Sequence, residues 1–178
     1  GRGVAAFAPS IQPQFLVGAA FANYFAASAK TMLVVARVDA PIAATSQSFA
    51  GNGLVVDAAG YFGLHVLKEP SAKIVAYNFA ANEDSARVAL AVGEWHVYIY
   101  RHDGSTVEVA IDAGSPVSSA SGATNAAAGV LRVGAQYQGT VAAALTGRIA
   151  HVVGYSTALS AQDLSSAITY LQDRWGLS

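Results

Sequence analysis

The sequence predicts an all-β fold that ends in one α-helix, with the strands forming a β-sandwich or a closed barrel. Short runs of alternating apolar and polar residues recur at spacings of about 8–12 residues, which is typical of these architectures. No helical pattern separates the runs, so parallel βαβ units are not expected. Only the last segment changes its period, from that of a strand to that of an amphipathic helix.

The predicted strands are rich in β-branched and aromatic residues, and turn-forming residues bound each of them. In chain order they are Thr31–Val38, Leu54–Asp57, Tyr61–Val66, Lys73–Phe79, Arg87–Val92, Glu94–Arg101, Thr106–Asp112, Val130–Gly134 and Arg148–Tyr155.

Two of these strands predict a β-hairpin across residues 93–112. Along Trp95–Tyr100 the odd-numbered residues face one side of the strand and the even-numbered residues face the other. Asp103 and Gly104 suit the positive φ angles that a tight reversal needs. Thr106–Asp112 then returns with the same alternation.

The C-terminal part of the sequence predicts a surface loop and later a helix. Residues 113–129 are small and polar, and we interpret them as the loop. Ser160 followed by Asp163 resembles a capping box, which predicts the start of the helix. Gly176 suits the left-handed position at its end. Apolar side chains recur on one helical face at Leu164, Ile168, Leu171 and Trp175.

Size and charge exclude several classes of protein. A chain of 178 residues with 53% hydrophobic and 12% charged residues predicts one globular domain. Because it opens with Gly rather than Met, we expect residues 1–178 to form the C-terminal part of a longer polypeptide. A net charge of -1 without a basic run predicts neither a nucleic-acid nor a membrane partner. The lack of cysteine excludes disulfides and thiolate catalysis.

Three groups of residues resemble motifs of one known family. The first group is a Trp-His strand, an Asp-Gly turn and a second strand that ends in Asp, at Glu94–Val97, Asp103-Gly104 and Asp112. The second group is the Leu-Arg-Val-Gly strand at Leu131–Ala135. The third group is a closing strand with a helix cap and a helix end, at Gly147–Tyr155, Ala158–Ser160 and Tyr170–Leu177. In combination they resemble the laminin-G-like branch of the concanavalin A-like lectin/glucanase superfamily, especially its bacterial and phage versions. The resemblance implies a two-sheet antiparallel jelly roll.

Some members of this superfamily hydrolyse glycans with a Glu-x-Asp-x-Glu triplet on one strand. The segment Glu108–Asp112 has the two outer acids, but Ala110 occupies the central position. Nothing evident would then tune or orient the outer pair. We therefore expect no enzymatic activity, with Glu108 solvated and Asp112 at a turn.

No metal or cofactor site is predicted. The four histidines are scattered along the chain and show no ligand spacing. The resemblance implies that a calcium site would use loop carboxylates and carbonyls. The acidic doublet Glu83-Asp84 is better interpreted as a charged turn, because Ca²⁺ takes about 6–8 oxygen ligands and two carboxylates supply too few. A site that combines Asp57 or Asp112 with carbonyl groups stays open.

The remaining candidates for ligand binding are aromatic and amide side chains. Exposed tyrosines stack on sugar rings, while amide groups bond sugar hydroxyls. Tyrosines are also common in the interior of sandwiches, which is the alternative for each of them. The candidate ligand-binding residues are Tyr98, Tyr100, Tyr137, Gln136, Gln138 and Asn78.

Two functions remain open at this point. The first is a non-catalytic module that recognises a glycan or a host-surface receptor as part of an extracellular or phage virion protein. The second is a purely structural virion component, such as a head decoration, fibre or tail protein, or an assembly domain that packs against protein partners or identical subunits. Both place the protein outside the cell or on a virion surface.

Overall fold

A computed structural model describes residues 5–7, 16–18, 29–40, 52–57, 62–68, 72–79, 83–121, 131–138 and 140–177. Within these ranges it contains fourteen β-strands and one α-helix, which we call α1 (Ala161–Trp175). The strands are β1 (Ala5–Phe7), β2 (Leu16–Gly18), β3 (Lys30–Ala40), β4 (Asn52–Asp57), β5 (Phe62–Lys68), β6 (Ala72–Phe79), β7 (Glu83–Ala89), β8 (Trp95–His102), β9 (Thr106–Ile111), β10 (Val117–Ala120), β11 (Leu131–Val133), β12 (Ala135–Gln138), β13 (Thr140–Ala144) and β14 (Thr146–Tyr155).

The strands form two antiparallel six-stranded sheets and a small hairpin. The first sheet has the order β1-β14-β3-β8-β9-β10, and the second has the order β2-β11-β4-β5-β6-β7. Among the described strands, β12 and β13 pair only with each other. The predicted two-sheet jelly-roll sandwich is confirmed, and in the part of the chain that the structure describes each sheet ends in two edge strands, which a closed barrel would not have.

The main core lies between the two sheets. Inward-facing residues of the first sheet, such as Val34 and Tyr98, are fully buried against residues of the second, such as Leu64 and Ile74. These positions alternate along each strand, as the period-2 pattern of the sequence predicts, but the pattern alone does not show which face of the strand lies inside.

A second core lies on the outer face of the first sheet, where α1 packs. Leu33, Val97 and Ile99 of the sheet are buried there together with Ile168 and Leu171 of the helix. Strands β3 and β8 are therefore covered on both faces, because every outward side chain in their middle meets the helix layer. The predicted helical stripe is confirmed, since Leu164 and Trp175 also pack against this core.

The ends of α1 follow the predicted capping pattern. The Ser160 hydroxyl accepts a hydrogen bond from the backbone N–H of Asp163 at 3.2 Å. Gly176 has φ 66°, and its backbone N–H donates to the carbonyl of Gln172. Both contacts satisfy backbone groups that a helix leaves free at its termini.

The hairpin turn differs from the prediction in one respect. Gly104 has a positive φ of 104°, whereas Asp103 has a negative φ and stabilises the turn through its carboxylate. One carboxylate oxygen accepts from the backbone N–H groups of Ser105 and Thr106, at 2.9 and 2.8 Å. These donors, that of Ser105 above all, hold the pKa of the Asp103 carboxyl below its ordinary value.

Two local predictions are wrong. β10 lies inside residues 113–129, which were expected to form only a loop, and it pairs with β9 from Val117 to Ala120. An edge strand needs only backbone hydrogen bonds, so its small, exposed side chains hide it from a pattern search. The doublet Glu83-Asp84 opens β7 and pairs with Phe79 and Asn78 rather than forming a turn. In the described part of the chain, no helix has the length and hydrophobicity of a membrane span.

Candidate functional site

A groove of about 330 Å³ lies between α1 and the β8–β9 hairpin. We call it the helix–hairpin groove. Its apolar lining includes Ile99 and Ala110 of the sheet with Leu164 and Ile168 of the helix. Its polar lining includes Arg101, Glu108 and Asp112 of the hairpin with Ser165, Thr169 and Gln172 of the helix.

The groove exists because the residue opposite the helix on β9 is small. Ala110 pairs with Ile99 across the strands, and both lie in the outer core. The other sheet residues of that core lie on β3, β8 and β14. The helix α1 therefore packs over these three strands, and β9 lies to one side of it. A methyl group at position 110 cannot fill the remaining space.

A cross-strand ion pair lies along the groove. Arg101 and Glu108 are direct neighbours in the β8–β9 register, and Nη1 of the arginine donates to Oε2 of the glutamate at 2.8 Å. Nε of Arg101 also donates to the carbonyl of Leu159 at 3.0 Å, which joins the hairpin to the residues before the helix. The two side chains are 24% and 23% exposed, so the pair remains accessible from solvent.

Asp112 has a structural function at the other end of the groove. Its backbone is left-handed, with φ 52°, and its N–H donates to the carbonyl of Val97 at 2.8 Å. Oδ1 accepts the backbone N–H of Val97 at 2.8 Å, and Oδ2 lies 2.7 Å from Nδ1 of His96. The Asp112 carboxylate thus accepts a β8 backbone N–H that a backbone carbonyl would accept if the pairing of the two strands continued.

The two acids of the incomplete glucanase triplet, Glu108 and Asp112, line the same groove. Ala110 occupies the position between them, so no carboxyl group stands there. Each outer acid contacts a basic side chain on β8: Glu108 accepts from Arg101 at 2.8 Å, and Asp112 lies 2.7 Å from His96. Both acids therefore stabilise the hairpin.

Two of the six predicted ligand-binding residues need correction. Tyr98 and Tyr100 are both 0% exposed and lie in the core between the sheets. Because their even-numbered positions face inward, neither ring has a surface to present to a sugar. Burial and the negative charge of Asp112 raise the pKa of the Tyr98 hydroxyl above its ordinary value.

The structure locates the backbones of the other four. Gln136, Tyr137 and Gln138 follow one another on β12 and pair with residues of β13. Asn78 lies on β6 between Phe62 of β5 and Asp84 of β7. Their side chains lie outside the described part of the structure, so their ligand binding stays a prediction.

Sequence reasoning missed the groove, although two signals for it were present. A turn centred on Gly104 places Arg101 opposite Glu108, so the ion pair follows from the hairpin itself. A small residue, Ala110, also interrupts the large apolar residues that face the helix. What the sequence lacked was the lateral position of the helix.

Other features of the described residues are smaller. A cleft of about 100 Å³ lies at the end of α1 between Trp95 and Trp175, with Gly176 and Leu177. The rings of His151 and Trp175 meet edge-on, with centroids 6.2 Å apart. Among the described residues, no three His, Asp or Glu side chains are grouped closely enough to hold a metal ion.

Comparisons with known proteins place this geometry in a family. A family model described as the concanavalin A-like lectin/glucanases superfamily matches residues 22–165. No curated protein shows a significant match to the chain.

Solved structures with the same fold share little sequence with this chain. The CBM40 of a Ruminococcus gnavus IT-sialidase, bound to α2,3-sialyllactose, is 12% identical with a TM-score of 0.63, and the match covers 93% of this chain and 97% of that one. A native heptameric SAP-like pentraxin from Limulus polyphemus is 12% identical with a TM-score of 0.63, over 93% and 80% of the two chains. A Trypanosoma rangeli sialidase in complex with 2,3-difluorosialic acid is 13% identical with a TM-score of 0.63, over 83% of this chain. This chain spans only 24% of that sialidase. At these identities the likeness shows the fold.

Proposed function

Because the chain belongs to the concanavalin A-like lectin/glucanases superfamily, we propose that it is a non-catalytic module that binds a glycan, including one carried by a surface receptor. The observation that carries the proposal is the structural match between this chain and the R. gnavus CBM40, which covers nearly the whole of both chains. A fold match of this extent makes the chain comparable with a complete binding module, whereas it matches only a fraction of the sialidase.

The arrangement of the acids supports binding rather than hydrolysis. Glu108 is paired with Arg101, and Asp112 completes the hydrogen bonding of Val97. A general acid needs a carboxyl group whose proton is available to the leaving group. Carboxylates held by basic or backbone donors instead serve as fixed acceptors for hydroxyl groups.

The proposed context is a protein that acts outside the cell or on a virion surface. Glycan-binding modules meet their ligands on cell surfaces and secreted polymers, and phage virions carry such modules to recognise hosts. The proposal needs no cofactor. Asn78, Gln136, Tyr137 and Gln138 stay candidates for contacts with the ligand.

The second candidate function is structural, as a virion decoration, fibre or tail component or another assembly domain. The observation that favours it is the exposed edge of the first sheet, where β10 presents Val117, 40% exposed, beside small polar residues. A free edge can pair with a neighbouring copy. The pentraxin from Limulus polyphemus, which has the same fold, is heptameric, and this supports an assembly of identical subunits as the alternative.

Binding to an array of immobilised glycans tests the proposal, with fluorescence titration of Trp95 and Trp175 for any glycan that is retained. Saturable binding by a monomeric protein supports the binding module. The absence of binding to every glycan, together with elution as a defined oligomer in light-scattering chromatography, contradicts it and supports the structural function.

A further inference from the structure

We infer that the helix–hairpin groove is a sugar-binding site and that it selects an uncharged sugar ring over an acidic one. The inference rests on the proposed function and adds to it a location and a ligand class. It depends on the size of the groove, its apolar floor, its hydrogen-bonding groups and its charge balance.

The groove has the size and the access that a small ligand requires. Its volume of about 330 Å³ reaches the lower end of the range of about 300–1,000 Å³ that is usual for ligand sites. The helix residues Ala161, Ser165 and Thr169 on its rim are exposed, so the groove opens to solvent. By contrast, the cleft at Trp95 and Trp175 measures about 100 Å³.

The floor is apolar and rigid. Ile99 and Ala110 belong to paired strands, and Ile168 lies on the buried stripe of the helix. Each is at most 6% exposed and is held by the outer core. A pyranose ring presents a face of C–H groups, and placing that face on such a floor removes the C–H groups from water and adds van der Waals contacts with a preformed surface.

Hydrogen-bonding groups with remaining capacity lie beside this floor. The guanidinium of Arg101 has five N–H groups, of which the described bonds to Leu159 and Glu108 use two. The second oxygen of Glu108 also has acceptor capacity. Because the ion pair fixes both groups, little further side-chain entropy is lost when they bond sugar hydroxyls. The helix adds the hydroxyl groups of Ser165 and Thr169.

The charges in the groove do not favour an anion. Among the described residues that line the groove, Arg101 is the only basic one, and Glu108 neutralises it at 2.8 Å. Asp112 adds a second carboxylate to the lining. The acidic Asp163 in the first turn of α1 further opposes the positive end of the helix dipole. A sialic acid or sulfated sugar would therefore meet a balanced or negative surface, whereas a neutral sugar avoids this charge repulsion.

A matched pair of helix variants tests the location. Ser165 lines the groove, whereas its neighbour Ser166 is also exposed on α1 but does not line the groove. Ser165→Trp places an indole in the groove and is expected to weaken binding of neutral glycans on an array by at least about tenfold, the effect of losing one well-packed contact. Ser166→Trp is expected to change binding by less than about twofold. Thr169→Trp provides a second groove variant if Ser165→Trp lowers the melting temperature.

A charge variant tests the ligand class. Glu108→Gln keeps the shape of the side chain but leaves Arg101 without its counter-charge. It is expected to raise the binding of sialylated or sulfated glycans relative to their neutral parents by about tenfold, which is the worth of one charge-assisted hydrogen bond. Glu94→Gln is the control, because the Glu94 side chain is 72% exposed and lies outside the groove lining.

The outcomes separate the inference from the proposed function. If the wild-type protein binds a glycan and both groove variants bind it as well as Ser166→Trp does, the location is wrong and the binding function stands. If the wild-type protein prefers acidic glycans, or Glu108→Gln leaves the preference unchanged, the inferred ligand class is wrong. If no glycan is bound at all, the inference and the proposed function both fail.

Discussion

Replacement of Asp112 by alanine is expected to destabilise the protein strongly, although the side chain lies at the end of a hairpin strand. Its carboxylate accepts the N–H of Val97 at 2.8 Å, and Val97 is 0% exposed. Leaving a buried N–H without an acceptor costs about 1–3 kcal/mol. The left-handed backbone, with φ 52°, costs about 1–2 kcal/mol more for alanine. Together these effects predict a loss of about 2–5 kcal/mol in the free energy of unfolding.

Two further variants divide this loss between its causes. Asp112→Asn keeps a carbonyl acceptor and tolerates the left-handed conformation, so it is expected to lose less than about 1.5 kcal/mol, the worth of the charge on the bond to His96. Asp112→Gly relieves the backbone but not the unpaired N–H, so it is expected to be about 1 kcal/mol more stable than the alanine variant.

Urea unfolding followed by circular dichroism measures these differences, and amide hydrogen exchange at Val97 reports the unpaired N–H directly. In a protein of this size the alanine variant should melt roughly 4–20 °C below the wild type. The reasoning is refuted if Asp112→Ala costs less than about 1 kcal/mol, or if Asp112→Asn costs as much as Asp112→Ala.

Three other substitutions have defined outcomes. Burial and the nearby Arg174 lower the pKa of His151, so the unfolded chain takes up the proton first as the pH falls below about 6.5. The folded protein therefore loses stability as the pH falls through this range. Urea unfolding at pH 7.5 and 5.5 should show that the wild type loses more free energy of unfolding than His151→Gln does. An equal loss in the two proteins contradicts this. Ser160→Ala removes the N-cap of α1 and should cost about 1 kcal/mol in thermal unfolding, whereas Ser166→Ala on the same helix should cost less than about 0.5 kcal/mol; equal costs contradict the capping function. Tyr100→Ala leaves a cavity in the core and should lower the free energy of unfolding by about 3–5 kcal/mol. The glycan affinity of the variant that remains folded should be unchanged. A loss of affinity in the folded variant would show that Tyr100 belongs to the binding site.

Much of the fold was predictable because its signals are local. The alternation along Trp95–Tyr100 correctly divided these residues between the two faces of the sheet, but it did not show which face is the inner one. The Ser160 cap and the Gly176 stop defined the helix, since both act on backbone groups within one turn. Patterns failed where backbone pairing needs no distinctive side chain, as in the edge strand β10.

The candidate site was less predictable because a tyrosine on a strand looks the same whether its ring is buried or exposed. The chemistry of Tyr98 and Tyr100 predicts ligand contacts, yet both side chains are buried on the inner face of the sheet. Arg101 and Glu108 were predictable as neighbours from the hairpin register but not as the wall of a groove.

The sequence by itself determined the longer strands, the terminal helix with its caps and the pairing of the central hairpin, because periodicity and turn chemistry act over a few residues. Only the tertiary structure decided that a helix covers the outer face of the first sheet and stops short of β9, which leaves a groove over Ala110. The position of a helix on a sheet depends on how side chains from distant parts of the chain fill space together, and no single segment of sequence contains that information.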